Sequence, residues 1–383
     1  MKIAILTMAY RQNYGGILQC IALQNTLKNM GHEVEVIHFV STEKNGIQRK
    51  LKYLFGNPSF KEVSLWLYDK MIDSIEQFLG KQKNVSKVLI EKCSKFISEN
   101  IAYTETCDEV TIGLLAAQRN YDALVIGSDK IWGGLGRERL IYFADWSPTF
   151  KGKIISYAAC SSRADIPPFN KAKIEFLLSR FTALSVRDKH TYNLINTCTE
   201  KDVAVVADPT LLYNFDHFLD VKQVEQPYVF VYILGREIKG GHRLALKYIR
   251  EKYGSLPIKA VVLSDESTDV VPYVDEVITD ASPRDWLNLL VHSTFVYTDS
   301  FHGLIFSLKY NKQFLGYYRE KNRSSRLIGL RDFFGLEKRI VNSLNEAIYS
   351  KSLDEDVNYK EIQRKIDSFR EYSLNFLETA LIR

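Results

Sequence analysis

Short, unbroken apolar runs alternate along this chain with stretches whose apolar residues recur at helical spacing, which confines it to α/β architectures built on parallel sheets. The series opens at residues 2–7, a run apolar enough for a strand buried on both faces. A polar loop follows over 9–16. Ile17, Leu18, Ile21, Leu23 and Leu27 then line a helix closed by Gly31, and 34–37 is the next strand. This βαβ unit sets Gly15-Gly16 at a helix start, an arrangement that suits a phosphate as well as a plain turn.

Further strands are expected at 121–127, 153–159, 183–186 and 203–207, with a helix at about 170–180. A second series starts near Pro227, with strands at 228–234, 258–263, 276–278, 295–298 and 314–317 and helices at about 242–253, 282–292 and 303–310. The expected organisation is an N-terminal Rossmann-like domain over 1–213, a linker over 214–226, a C-terminal Rossmann-like domain over 227–356 and a closing helix over 357–383. Two such halves enclose a cleft between the carboxyl ends of their strands, where open α/β sheets bind ligands.

Composition narrows the function. The net charge of +5 over 383 residues is too small for a protein built to neutralise nucleic acid, so no nucleic-acid partner is expected. Most of that charge falls in residues 41–100, which carry eleven Lys or Arg against seven Asp or Glu. The segment reads as a basic helical insert without strands, broken at Gly56-Asn57-Pro58, with Tyr53, Phe55, Phe60, Trp66, Tyr68 and Phe78 interleaved among its lysines. Two readings stay open for it: contact with an anionic membrane surface, or packing of its aromatics on the first domain.

Five widely spaced cysteines without a CxxC pair fit a reducing compartment. No stretch reaches the roughly 18 apolar residues of a membrane span, and the opening residues turn polar at Arg11-Gln12-Asn13, too soon for a signal-peptide core. A cytoplasmic protein is expected, peripheral at the inner face of the membrane if the insert binds lipid.

Several polar groups fall just past a strand: Asn13, Asp129, Ser161, Arg187, Asp208 and the run Asp299-Ser300-Phe301-His302-Gly303. Arg187 offers five fixed donors that match a carboxylate or phosphate, or else it pairs with a neighbouring carboxylate of the chain. His302 stands at a helix start beside a glycine that allows close approach of a ligand, although a histidine cap has the same look. Asp188 and Asp208 read as capping or turn residues.

Six segments, taken in order, resemble the polysaccharide pyruvyl transferase family. They are Asn13-Tyr14-Gly15-Gly16-Ile17-Leu18-Gln19, Ile126-Gly127-Ser128-Asp129-Lys130-Ile131-Trp132, Ser156-Tyr157-Ala158-Ala159, Ser185-Val186-Arg187-Asp188, Ala207-Asp208-Pro209-Thr210 and Thr298-Asp299-Ser300-Phe301-His302-Gly303-Leu304-Ile305. The resemblance implies two Rossmann-like domains in a GT-B-like arrangement with a cleft between them. It also implies an enzyme that moves a pyruvyl group from phosphoenolpyruvate to a sugar hydroxyl pair in bacterial surface polysaccharide or exopolysaccharide synthesis, with a saccharide acceptor on a lipid-linked precursor. No metal and no tightly bound cofactor are implied, phosphoenolpyruvate being the co-substrate.

By motif position Arg187 becomes a donor-binding arginine, His302 the donor-phosphate or acid/base histidine, and Asp129 a base or acceptor-orienting carboxylate. Asn13, Gly15, Gly16, Ser161, Ser300 and Gly303 are expected at substrate positions. Relatives carry Arg-Leu-His where this chain has Ser300-Phe301-His302, so an arginine is absent at 300. Arg323 and Arg326 are expected to supply its charge, at least one of them facing the cleft. Lys130 stands where glutamine is usual. A GT-B-type glycosyltransferase using a nucleotide sugar and a non-catalytic sugar-binding relative remain alternatives, because fold alone does not separate them.

Overall fold

The computed structural model describes residues 1–9, 12–42, 86–163, 165–221, 226–263, 265–319 and 324–382. In the N-terminal domain, strands β1 (Lys2–Leu6), β2 (Glu33–Phe39), β3 (Tyr103–Cys107), β4 (Ala123–Ile126) and β5 (Lys153–Ser156) form one sheet in the order β3-β2-β1-β4-β5. Every pairing in it is parallel. Single bridges from Ile155 to Ala183 and from Ala159 to Val186 carry it on to the short parallel pair β6 (Leu184–Val186) and β7 (Val203–Val205). Between these strands run α1 (Tyr14–Asn29), α2 (Lys87–Asn100), α3 (Ile112–Arg119), α4 (Pro168–Ser179) and α5 (Lys189–Ile195), with α6 (Pro209–Leu212) after β7.

The C-terminal domain comprises β8 (Val229–Tyr232), β9 (Ile258–Val261), β10 (Glu276–Ile278), β11 (Phe295–Thr298), β12 (Gln313–Tyr317) and β13 (Ile340–Val341). Their order, β10-β9-β8-β11-β12-β13, is the doubly wound 3-2-1-4-5-6 arrangement with its switch point between β8 and β11. Its helices are α7 (His242–Tyr253), α8 (Pro283–His292), α9 (Phe301–Lys309), α10 (Ser325–Phe334), α11 (Leu344–Tyr349) and the closing α12 (Tyr359–Ile382). Ser282 starts α8 with a full capping box, its side chain accepting from Asp285 N while Asp285 accepts from Ser282 N.

The segment 41–100 is not one insert. Helix α2 is the crossover into β3 and buries Leu89, Cys93 and Phe96 against the domain core, while Lys92 pairs with Asp280 of the other domain at 2.7 Å. The apolar pattern missed β3 because it is an edge strand: Thr104 and Cys107 are buried, but Glu105 and Thr106 face solvent. The six interleaved aromatics of residues 53–78 lie outside the described residues. Among the described residues, no helix is long and apolar enough to cross a membrane.

The two domains share a core. One apolar cluster runs from Ile17 and Ile21 of α1 through Trp286 of α8 and Phe306 of α9 to Leu377 of α12. Tyr14, wholly buried, donates to Ala281 O across the junction at 2.7 Å. Helix α12, expected only as a terminal element, returns to the N-terminal domain, where Ser373 Oγ accepts from Ala207 N at 2.9 Å and Lys153 Nζ donates to Leu381 O. His242 is buried at the start of α7 with Nδ1 3.0 Å from the Tyr297 hydroxyl, and burial pushes it down to about 4.

Candidate functional site at the domain junction

Four motif segments end on the junction. Asp129 stands three residues past the end of β4 with φ 68° and ψ −166°, a conformation that costs a residue with a β-carbon about 1–3 kcal/mol and persists only where the surroundings enforce it. Arg187 follows β6, and Asp208 follows β7 as the N-cap of α6. From the other domain, His302 stands in the first turn of α9, which Ser300 caps by accepting from Gly303 N at 3.3 Å.

Two glycines make this approach possible. A β-carbon on Gly15 would lie 1.9 Å from His302 Nδ1, so only glycine lets the first turn of α1 meet the histidine ring. A β-carbon on Gly303 would lie 2.7 Å from Thr298 Oγ1.

Arg187 is the hub of the network. Its Nη1 donates to Asp208 Oδ2 at 2.6 Å, and its Nη2 donates to Asp129 Oδ1 at 3.1 Å and to Cys160 Sγ at 3.0 Å. The guanidinium carbon stands 4.3 Å from the Phe301 ring centre. Arg326 reaches the same group from α10, with Nη1 3.4 Å from Asp129 Oδ1 and its guanidinium carbon 5.6 Å from the Phe301 ring centre. His302 Nε2 lies 3.5 Å from Asp208 Oδ2, while the other oxygen of Asp208 accepts from Thr210 N at 3.0 Å and Thr210 Oγ1 at 2.7 Å.

The electrostatics follow from this crowding. Burial alone would raise the Asp129 carboxyl, but Arg187 and then Arg326 outweigh it and hold it down at about 2. Burial likewise opposes the Asp208 anion, and His302 and Arg187 together hold that carboxyl well below its ordinary value. A carboxylate so strongly held is a poor proton acceptor at neutral pH, so Asp129 fits the orienting role better than that of a base. Burial pushes the Cys160 thiol up to about 11. Arg187 Nε and Arg326 Nε are buried without a hydrogen-bond partner, and His302 Nε2 faces Asp208 Oδ2 at 3.5 Å. Such nitrogens are rare, and one on each of two arginines that share Asp129 leaves donor capacity at the junction.

Asp129, Arg187, His302 and Arg326 thus come together, with Gly15 packed on the histidine. Arg326 joins the group through its ion pair with Asp129, and Arg323 lies outside the described residues. The other expected positions do local work. Asn13 caps α1 by accepting from Gly16 N at 3.0 Å, and Ser161 accepts from Arg163 N at 3.1 Å within its own turn. The Ser300 hydroxyl is spent on its helix cap.

The sequence pattern identified Asp208 as a cap, which it is, and missed that its second oxygen joins Arg187 to His302. Nothing in Asp-Pro-Thr distinguishes a cap from a cap that also bridges two domains. Phe301, between the two guanidinium groups, was legible only as an apolar residue. A separate groove of about 1030 Å3 lies at the amino-terminal ends of the C-terminal strands, lined in part by Asp220, Asp285, His292 and Lys312. None of the six motif segments reaches it.

The family model described as polysaccharide pyruvyl transferase matches residues 13–321. No curated protein sequence gives a significant match. Among solved structures, the chain is similar to a candidate UDP-N-acetylglucosamine 2-epimerase from Listeria monocytogenes, at 11% identity and TM-score 0.54 over 98% of this chain and 94% of that one. It is similar to the UDP-GlcNAc 2-epimerase of Methanocaldococcus jannaschii at 10% identity and TM-score 0.52, over 97% of this chain and 100% of that one. The Neisseria meningitidis UDP-GlcNAc 2-epimerase gives 10% identity and TM-score 0.50 over the full length of both. At identities this low the likeness shows a shared GT-B fold alone.

Proposed function

The chain belongs to the polysaccharide pyruvyl transferase family, and from that premise we propose that it moves a pyruvyl group from phosphoenolpyruvate onto two hydroxyls of one sugar. The acceptor in this reading is a saccharide of a surface polymer or exopolysaccharide, carried on a lipid-linked precursor. Protonation turns the donor's methylene into a methyl group and leaves C2 cationic, so that a sugar hydroxyl oxygen bonds to C2 and gives up its proton. The second hydroxyl adds as the bond from C2 to the phosphate oxygen breaks, and phosphate leaves with the remaining proton.

One observation carries the reading. Arg187 and Arg326 meet at Asp129 with a buried Nε unused on each, and His302 stands across Asp208 from Arg187, a concentration of positive charge that suits an anionic donor with a carboxylate and a phosphate. In this reading the arginines hold the donor, His302 holds its phosphate or moves the proton, and Asp129 keeps both guanidinium groups in place.

Incubation with phosphoenolpyruvate and a β-galactoside, followed for phosphate release and for a mass gain on the sugar, tests the proposal. Release that requires a nucleotide sugar would overturn it in favour of glycosyl transfer. Alanine at Arg187 or at His302 is expected to abolish turnover.

A further inference from the structure

One apolar ring stands against Arg187, Arg326 and His302 together. Phe301, the first residue of α9, is buried, and its ring centre lies 4.3 Å from the guanidinium carbon of Arg187 and 5.6 Å from that of Arg326. Both fall within the roughly 6 Å over which a ring face attracts a cation. The His302 ring meets it at 5.3 Å between centres and an interplanar angle of 87°, an edge-to-face arrangement. Arg187 comes from the N-terminal domain, whereas Phe301 and Arg326 come from the C-terminal one, so the ring face also spans the junction.

The two arginines need such a support. Both reach for the same oxygen, Asp129 Oδ1, at 3.1 Å from Arg187 and 3.4 Å from Arg326, and one carboxylate does not cancel two cations that repel each other. Asp208 is taken up by Arg187 and His302, so among the described residues the long contact with Asp129 is the ion pair left to Arg326. The ring itself is held by the local sequence. Ser300 donates from its backbone to Thr298 Oγ1 at 3.0 Å and accepts from Gly303 N at 3.3 Å, which fixes the first turn of α9 and with it the place of Phe301.

We propose that Phe301 is a positioning residue whose ring face holds Arg187 and Arg326 at Asp129, so that both guanidinium groups meet an anionic donor already in place. A ring holds a cation without taking an N–H donor or cancelling its charge, whereas a further carboxylate would do both. Each guanidinium keeps a buried Nε without a partner. Without the ring, two repelling side chains would have to be ordered at the moment of binding, a cost that weakens affinity. The hold on the arginines stands on geometry alone, and its bearing on phosphoenolpyruvate rests on the transferase reading.

Sulfate is the probe, and phenylalanines carrying one, two or three ring fluorines at position 301 are the variants, because fluorine draws electrons from the ring face while nearly keeping its shape. In calorimetric titrations at fixed ionic strength, sulfate affinity is expected to fall stepwise along the series, by about tenfold at three fluorines. Phe301→Leu, apolar but without a ring, is expected to bind about tenfold more weakly, and Phe301→Tyr to stay within about twofold of wild type. A side chain that only fills space would give a flat fluorine series. That result, wild-type affinity in Phe301→Leu, or a wild type that binds no sulfate overturns the proposal.

Turnover extends the test to the donor. The fluorine series is expected to raise the KM for phosphoenolpyruvate in step with the loss of sulfate affinity, and by more than it lowers kcat, because in this role the ring orders the groups that hold the donor. A KM that stays at the wild-type value across the series overturns the role towards the donor. A series that weakens sulfate binding, in a protein whose wild type releases no phosphate from phosphoenolpyruvate, counts against the transferase reading and not against the ring.

Discussion

Asp208 Oδ2 stands 3.5 Å from His302 Nε2, and the two residues belong to different domains. The carboxylate is fixed by its own domain before it meets the histidine, through Thr210 on one oxygen and Arg187 on the other. Asp208→Asn keeps an oxygen for Thr210 and the helix cap, but it removes the charge that Arg187 and His302 share. Breaking a buried pair in this way costs about 3–5 kcal/mol, and phosphate release is expected to fall about 100-fold. Urea unfolding and the phosphate assay read the two effects. Wild-type values in both would show that Asp208 does no more than cap α6.

At Gly15 two effects of opposite sign compete. Alanine inside a helix is favoured over glycine by about 1 kcal/mol, but its β-carbon would lie 1.9 Å from His302 Nδ1. Overpacking of that severity costs about 1–3 kcal/mol or more, so the contact wins and Gly15→Ala is destabilised and inactive. Gly16→Ala, whose nearest neighbours lie at 3.3 Å, is the milder control. Thermal denaturation of both variants decides; a Gly15→Ala protein more stable than wild type would mean that the ring moves aside.

These two residues mark where the sequence was legible and where it was not. Strands buried on both faces announce themselves as unbroken apolar runs, so β1, β4, β8 and β11 stood out, whereas the edge strand β3 and the two-residue β13 carried too little apolar pattern. Caps are local, and Asp188 was readable because its partner lies three residues away. The packing of Gly15 on His302, and Asp208 shared between Arg187 and His302, join positions that only the assembled pair of domains brings near. Position at a strand's carboxyl end was the one signal pointing to them.

Because the apolar cluster passes unbroken through both domains, they are expected to unfold as one unit. Tyr14→Phe removes the hydrogen bond to Ala281 O and leaves a buried carbonyl unpaired, a loss of about 1–3 kcal/mol. Calorimetry should show one transition for wild type and variant alike, displaced to lower temperature in the variant. Two resolved transitions in the wild type would refute the shared core.

Acid should weaken this junction in a defined window. The Asp129 carboxyl is held at about 2, below its ordinary 3.8, because Arg187 and Arg326 outweigh the effect of burial. A folded value below the unfolded one means that the stabilisation is complete above about pH 4 and is lost as pH falls towards 2, amounting to about 2–3 kcal/mol. Asp208, also depressed, contributes in the same direction. Urea midpoints measured between about pH 2 and about pH 7 should show the wild type losing stability on the acid side. In Asp129→Asn the two arginines lack that charge at every pH, so the gap between wild type and variant should close as pH falls through the window. A gap that stays constant would place the acid sensitivity elsewhere in the molecule.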